Sequence, residues 1–440
     1  MHDVSSDRNP QYHLMSFDAD GIERPDAAGE NSTALCAQLE REAATDVFLL
    51  CHGWMGDVPA ARRQYDAWIS AMDGCPDDRA AAEVRDGGFR PSVIGVHWPS
   101  KAWGDEDLGS GSFGLQPDEA RVGTEVFSLV EAFSGVLDHT PGVRESVQAI
   151  VDAALDDPIP AVLPPSVREA YELLDASLGD GADGEGSAPA DDRDRFDPEA
   201  VYQASLMAEF TSFGGMSLGG LLGPLRVLTF WHMKRRAAVV GGSGVAQLVG
   251  HLQDAAPQAR FHLMGHSFGC IVVSAAVAGG KGPDRRPVTS LALVQGAMSL
   301  WSYCSSIPSV PDRSGYFHRV VRDGLVAGPV VVTTSVHDRA VGTFYPIGAG
   351  SRGQVEYAPA ELPTYGAIGA FGLRGPGLEI VEDDLHPIDE PYTMEPGVIH
   401  VLRSDHVIRD GGGIMGAHSD IAKPEVAHAV WQAALAGSRQ

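Results

Sequence analysis

Cysteine is scarce in this chain of 440 residues. There are five, at Cys36, Cys51, Cys75, Cys270 and Cys304, an odd number at wide spacings with no C-x-x-C. A disulfide framework and a cysteine zinc site are therefore excluded as organising features. Cys51 and Cys270 sit in apolar runs and read as small core residues. Positive charge is scarce as well: 32 Lys and Arg stand against 59 Asp and Glu, a net charge of −27. Such a chain repels polyanions, so nucleic acid and anionic membrane surfaces are poor partners for it. The N-terminus has no basic start followed by an apolar run, so no signal peptide is read there and a reducing cytoplasm is the expected compartment. H-E-x-x-H, a Walker A motif and a G-x-G-x-x-G opening a helix after a strand are all missing, and neither metal nor cofactor is expected. Residues 206–231 form a long apolar stretch, but Glu209, Pro224, Arg226 and several glycines interrupt it. It is expected to be a packing or lid segment, with no integral membrane segment in the chain.

What is present centres on residues 261–273. A short apolar run ends in Gly265-His266-Ser267-Phe268-Gly269, and a small-residue apolar helix pattern follows. G-x-S-x-G between a strand and a helix is the signature of a nucleophile elbow. The turn is too tight for Cβ atoms on either side, hence Gly265 and Gly269. The serine oxygen is held clear of the backbone at a helix N-terminus, where a developing negative charge meets N–H groups and the positive end of the helix dipole. The letters alone carry little weight: with 52 Gly, the pattern arises by chance roughly once in two such chains. Gly215-Met216-Ser217-Leu218-Gly219 also matches, yet no clean strand precedes it and glycines crowd both sides. Setting therefore selects Ser267 over Ser217.

Apolar strand patterns alternate with helical ones, which predicts an α/β protein with a mostly parallel, doubly wound sheet. Strands are expected at 12–17, 46–51, 92–98, 261–266, 291–294, 330–336 and 398–402, and helices at 32–44, 59–72, 231–252 and 424–435. The alternation lapses between 101 and 230, where only helical patterns occur (126–136, 143–155, 166–178 and 198–210). Residues 1–100 and 231–440 thus read as a core, and 101–230 as an inserted, mainly helical cap. Within the cap, residues 179–199 are nearly all Asp, Glu, Gly, Ala, Ser and Pro and read as a flexible acidic loop. Residues 339–396 are rich in Gly and Pro and read as an excursion over the surface.

An acyl-transfer serine needs a base, a group that orients the base, and donors for the oxyanion. Phe268 N–H, next to the nucleophile, is one expected donor. His52-Gly53-Trp54-Met55-Gly56 follows a buried strand, and Trp54 N–H is the second, with Met55 as its alternative. The run 330–336 leads into His337-Asp338, which makes Asp338 the expected acid, with Asp312 and then Asp405 as rivals. The Gly-rich segment 411–416 carries His418 to the start of the final helix, and His418 is the expected base. His400 and His406 lie in or beside a strand and are less suited, while His52, His97, His262 and His266 flank strand ends and fit packing or hydrogen-bonding roles. Trp54, Trp98, Trp103, Trp301, Tyr303 and Phe344 are candidates for aromatic walls.

The chain order Ser267, Asp338, His418, together with H-G-W after a strand, G-H-S-F-G in the elbow, S-V-H-D after a late strand and G-A-H-S-D before the last helix, resembles the α/β-hydrolase superfamily. The resemblance covers residues 46–100 and 231–436 and is esterase- or lipase-like in outline. It implies a Ser-His-Asp triad, an acyl-enzyme intermediate, no cofactor, and a small-molecule or lipid-like ester substrate with an apolar acyl group. Amide, thioester and peptide hydrolysis use the same residues and stay open, as does a non-catalytic binding scaffold of the same fold. The large insertion and the long separation of Asp338 from His418 depart from the usual pattern.

Overall fold

A computed structural model describes residues 12–25, 29, 31–54, 57–100, 127, 129–131, 133–137, 140–179, 184, 186, 188–207, 220–279, 286–345, 362–411 and 415–437. Its centre is a nine-stranded sheet: β1 (His13–Phe17), β2 (Glu23–Arg24), β3 (Asp46–Cys51), β4 (Pro91–His97), β5 (Arg260–His266), β6 (Ser290–Val294), β7 (Val330–Thr334), β8 (Ile380–Asp384) and β9 (Ile399–Arg403). The order across the sheet is β2-β1-β4-β3-β5-β6-β7-β9-β8. Only the β1–β2 pair is antiparallel; the other pairs are parallel.

Period-2 alternation sends side chains to two buried faces. In β3, Val47, Leu49 and Cys51 pack with Leu35 and Leu39 of α1 (Ser32–Glu42), Met233 and Ala237 of α7 (Gly223–Val240), and Leu248 and Leu252 of α8 (Ala246–Ala255). Leu50 faces Tyr65 and Trp68 of α2 (Val58–Asp73), and Val426 and Val430 of α12 (Pro424–Ala436). Phe48, on the same side, meets Met72 of α2, Ala82 of α3 (Pro76–Glu83) and Trp431 of α12. Helices therefore cover both faces, which is why the strands read as unbroken apolar runs. Each fully buried Leu, Ile or Val contributes about 1.5–3 kcal/mol. The helix α2 shows the local logic: Asp57 Oδ1 accepts from Ala60 N at 2.8 Å, Pro59 sits in the first turn, and Ala61, Tyr65, Trp68 and Met72 recur on one buried face.

A separate hydrophobic cluster joins α4 (Pro141–Asp156), α5 (Pro165–Leu178), Tyr202 of α6 (Pro198–Met207) and the first half of α7, through Val147, Ile150, Leu174 and Leu225. The same α7 helix runs on into the sheet's own core, so one continuous rod is shared by the helical cluster and the sheet. Glycines 241, 242 and 244 do not break the connection to α8. They form a single π-helical turn over Gly241–Val245.

Three features differ from the sequence-based expectations. The stretch 339–396 includes an edge strand, β8, which pairs with β9 in parallel although most of its side chains are exposed. Apart from Ile380 against the core, it is held by backbone pairing and by exposed ion pairs of Glu382 with Arg374 and Asp384 with Arg403, so no apolar alternation marks it. Within the acidic segment, Pro189, Ala190, Asp192 and Arg193 are buried rather than solvated, because Asp192 Oδ1 accepts from the buried Lys234 Nζ of α7 at 2.7 Å. Its Oδ2 accepts from Tyr345 Oη at 3.0 Å and Tyr316 Oη at 3.3 Å. Finally, the helix expected from residue 231 opens earlier, at Gly223, inside the stretch 206–231; among the described residues no helix is long and apolar enough to cross a membrane.

Candidate active site

The sheet order diverges between β3 and β5: from β3 the chain moves to β4 on one side, and from β5 to β6 and β7 on the other. Loops at the carboxyl ends of strands at such a switch point part to leave a crevice. His52-Gly53-Trp54 leaves β3 there, and Ser267 leaves β5.

Ser267 has φ +55°, a left-handed conformation that costs a non-glycine residue on the order of 1–2 kcal/mol. Its surroundings leave no other course. A Cβ on Gly269 would run into Cys51 O, a Cβ on Gly265 would run into Gly269 O, and one on Gly53 would lie 2.8 Å from Ser267 Cβ. Strand β3, the turn and helix α9 (Gly269–Ala278) therefore touch backbone to backbone. Ala297 N donates to Ser267 O at 3.2 Å and Ser267 N donates to Val294 O at 3.2 Å, tying the turn to the end of β6. The backbone N–H of Phe268 has no acceptor among the described residues. The Phe268 ring lies 5.8 Å from that of Trp54 and 4.9 Å from that of Phe230 of α7, both measured between centroids.

Asp338 follows β7 and His418 precedes α12. His418 Nδ1 donates to Asp338 Oδ2 at 2.7 Å. The other carboxylate oxygen, Oδ1, accepts from Val341 N at 3.2 Å. The two segments are laced together by backbone: Asp338 and Gly416 form an antiparallel bridge, and Ala417 N donates to His337 O at 2.9 Å. That lacing is what spans the long sequence separation. Asp420 closes the histidine loop, accepting from Arg409 N and Asp410 N and pairing with Lys423. Ser267, Asp338 and His418 are 5%, 1% and 4% exposed, so all three sit out of bulk water. Neither Ser267 Oγ nor His418 Nε2 is committed to a hydrogen bond among the described residues.

The rival acids are placed elsewhere. Asp312 is exposed in a turn, and Asp405 Oδ1 accepts from Val336 N at 2.9 Å. Met55, Ser217 and Trp103 lie outside the described residues, as does the side chain of Phe344. Among the other histidines, His52 Nδ1 donates to Gly53 O at 2.8 Å and Nε2 accepts from His97 Nδ1 at 3.0 Å. Burial, reinforced by His97, pushes the His52 pKa down to about 3, so the ring is neutral. His262 bridges Asp46 and Ser290, His406 Nε2 donates to Leu385 O, and His400 Nε2 accepts from Glu395 N. Trp98 is wholly buried against His52, and Tyr303 Oη donates to Ser274 Oγ in the core.

Two further residues lie beside the site: His266, which the sequence marks as a strand-end histidine suited to hydrogen bonding, and Gln295, for which the sequence has no signal. His266 Nε2 donates to His418 O at 2.9 Å, its Nδ1 accepts from Gln64 Nε2 at 3.1 Å, and its ring lies 4.9 Å from the His418 ring. Burial, with the neighbouring His418, drives its pKa well below the usual histidine value. Gln295, at the end of β6, is wholly buried beside Asp338.

No protein-family model, no curated protein and no solved structure matches the chain. Among the described residues, no group of three or more His, Cys, Asp or Glu side chains could hold a metal ion. The arrangement offers a hydroxyl at a strained strand–helix turn, a buried imidazole–carboxylate pair, and a helix N-terminus with an uncommitted N–H.

Proposed function

We propose that the protein is a serine hydrolase of the α/β-hydrolase type that cleaves carboxylic esters through an acyl-enzyme. The observation that carries this reading is the left-handed Ser267 at the strand–helix turn, accompanied by the buried 2.7 Å contact between His418 and Asp338. In this reading the sheet and its flanking helices are the catalytic core, and residues 101–230 are a cap inserted before the elbow.

Asp338 accepts from His418 Nδ1–H and so fixes the tautomer that leaves Nε2 as the acceptor. His418 Nε2 takes the Ser267 proton as Oγ bonds to the ester carbonyl carbon. The carbonyl oxygen becomes an oxyanion, stabilised by the Phe268 and Trp54 N–H groups and the N-terminus of α9. Collapse of the intermediate breaks the ester C–O bond, and His418 returns the proton to the departing alcohol. Water then repeats the sequence on the acyl-enzyme, giving the carboxylic acid and free Ser267. An apolar acyl group is favoured by the Trp54, Phe230 and Phe268 rings gathered beside the elbow.

Hydrolysis of p-nitrophenyl esters of graded acyl length by the wild type and Ser267→Ala tests the proposal. The expected result is turnover by the wild type that rises with acyl length and falls about 10⁶-fold in the variant. Equal turnover by the two proteins contradicts it.

A further inference from the structure

Three described non-glycine residues have left-handed backbones: Ala43, Ser267 and Gln295. Ala43 ends helix α1, a common use of that conformation. The other two follow adjacent parallel strands, β5 and β6, on the same sheet edge. Gln295 has φ +45° and no exposed surface. No turn motif asks for a long amide there, and glycine would fill the backbone position without strain. The cost is met because the side chain has work to do. Its amide nitrogen donates to Asp338 Oδ2 at 2.9 Å and to Gly369 O at 2.9 Å. This orientation of the amide follows from its partners, since both facing atoms are acceptors. The backbone N–H of Gln295 donates to Thr333 Oγ1 at 3.0 Å, anchoring the residue to β7, the strand that leads to Asp338.

We infer that Gln295 is a positioning residue for the Asp338–His418 pair, which makes the inference rest on the hydrolase reading above. The carboxylate has one free rotation that matters, about its Cβ–Cγ bond. Val341 N–H holds Oδ1, and Gln295 and His418 converge on Oδ2. With both donors in place, the Oδ2 lone pair aimed at His418 is fixed before substrate arrives. Gln295 is neutral at every pH, so it orients the carboxylate without adding a charge that would compete with the imidazole. The described titratable groups against the His418 ring are Asp338 and His266. Asp420, on the histidine's own segment, is engaged by Lys423 and by backbone N–H groups.

Two substitutions separate amide from backbone. Gln295→Met keeps the length without a donor, and Gln295→Gly keeps the left-handed backbone without a side chain. Full-length wild type and both variants are compared in two ways. One is the rate of labelling by a fluorophosphonate across pH. The other is the downfield proton resonance of His418 Nδ1–H, assigned by its loss in His418→Gln. Both variants are expected to label about tenfold more slowly on the acid side of the profile, with the half-maximal pH moved upward, because a carboxylate that loses a donor holds the imidazole proton more strongly. The Nδ1–H resonance is expected to shift or broaden in both. A purely structural role would lower thermal stability and leave the half-maximal pH and the resonance where they are in wild type, and that result overturns the inference. If wild type does not label while the resonance still responds to Gln295→Met, the hydrolase reading falls and the positioning role of Gln295 stands.

Discussion

His418 Nδ1 and Asp338 Oδ2 meet at 2.7 Å although the residues are 80 positions apart in the chain. The contact is buried and backed by an antiparallel backbone bridge between Asp338 and Gly416. In the proposed reaction, an acid–imidazole pair held this way is pre-set, needing no rearrangement when a proton moves to Nε2.

Replacing Asp338 by Asn keeps the shape and removes the charge. The amide can also present an N–H to Nδ1, favouring the wrong tautomer. Ester turnover is expected to fall about 10³–10⁴-fold, with the far-UV spectrum unchanged. Asp405→Asn and Asp312→Asn, at carboxylates with no part in the pair, are expected to leave turnover within about twofold. Loss of activity at Asp405 or Asp312 in place of Asp338 would reassign the acid.

Gly269→Ala drives a methyl group into Cys51 O. Backbone cannot step aside as a side chain can, so α9 must shift against β3. The expected cost is about 2–4 kcal/mol in urea unfolding, with ester turnover lost. Gly250 of α8 has open space around the same position, and Gly250→Ala is expected to be neutral or to stabilise by about 0.5–1 kcal/mol. Similar effects at both sites would contradict the packing described.

Folding stability is expected to fall with acid from about pH 6.5, the ordinary histidine value. Burial holds the His52 pKa at about 3 and that of His266 well below normal. Below the unfolded-state value the unfolded chain takes up protons that these folded rings refuse. Each therefore contributes stability that is present above about 6.5 and lost as pH drops, at up to about 1.4 kcal/mol per pH unit. Asp46 adds a second acid loss. Burial alone would raise its carboxyl, but hydrogen bonds from His262, Arg260 and Arg85 outweigh it and hold the pKa far below the usual range. That contribution is present above about pH 4 and is lost below it. A urea midpoint that stays level from about pH 7 to pH 5 would contradict the assignment of His52 and His266 as neutral.

Lys234 and Asp192 are both wholly buried. Among the described residues, Lys234→Met leaves the buried Asp192 carboxylate with the Tyr316 and Tyr345 hydroxyls as hydrogen-bond donors, and is expected to cost about 3–5 kcal/mol. Adding Asp192→Leu to that variant is expected to restore part of the loss, because the uncompensated charge is gone. Chemical denaturation of the single and double variants measures both. A double variant less stable than the single would show that the pair is not coupled in this way.

The parts of the fold legible in the sequence are those where burial is two-sided. β3 and β5 carry apolar runs and fall at the expected positions. β8 was hidden because Ile-Val-Glu-Asp-Asp pairs through backbone at an edge, with its carboxylates in water. The burial of Asp192 was hidden because its partner, Lys234, lies outside the acidic segment, on α7. At the site, Gly265 and Gly269 announce the turn locally, a strand end suggests Asp338, and the Gly-rich segment before the last helix suggests His418. His266 is marked only as a strand-end histidine suited to hydrogen bonding, and Gln295 has no local pattern. Their neighbours come from β7 and the C-terminal loop, brought near only by the parallel order of the sheet.

The most direct test of the central claim is the intact mass of the full-length protein after exposure to a fluorophosphonate, followed by mapping of the modified peptide. One adduct per chain is expected, on Ser267, lost in Ser267→Ala and strongly slowed in His418→Ala. A folded wild-type protein that takes up no label, or takes it up on another serine, would contradict it.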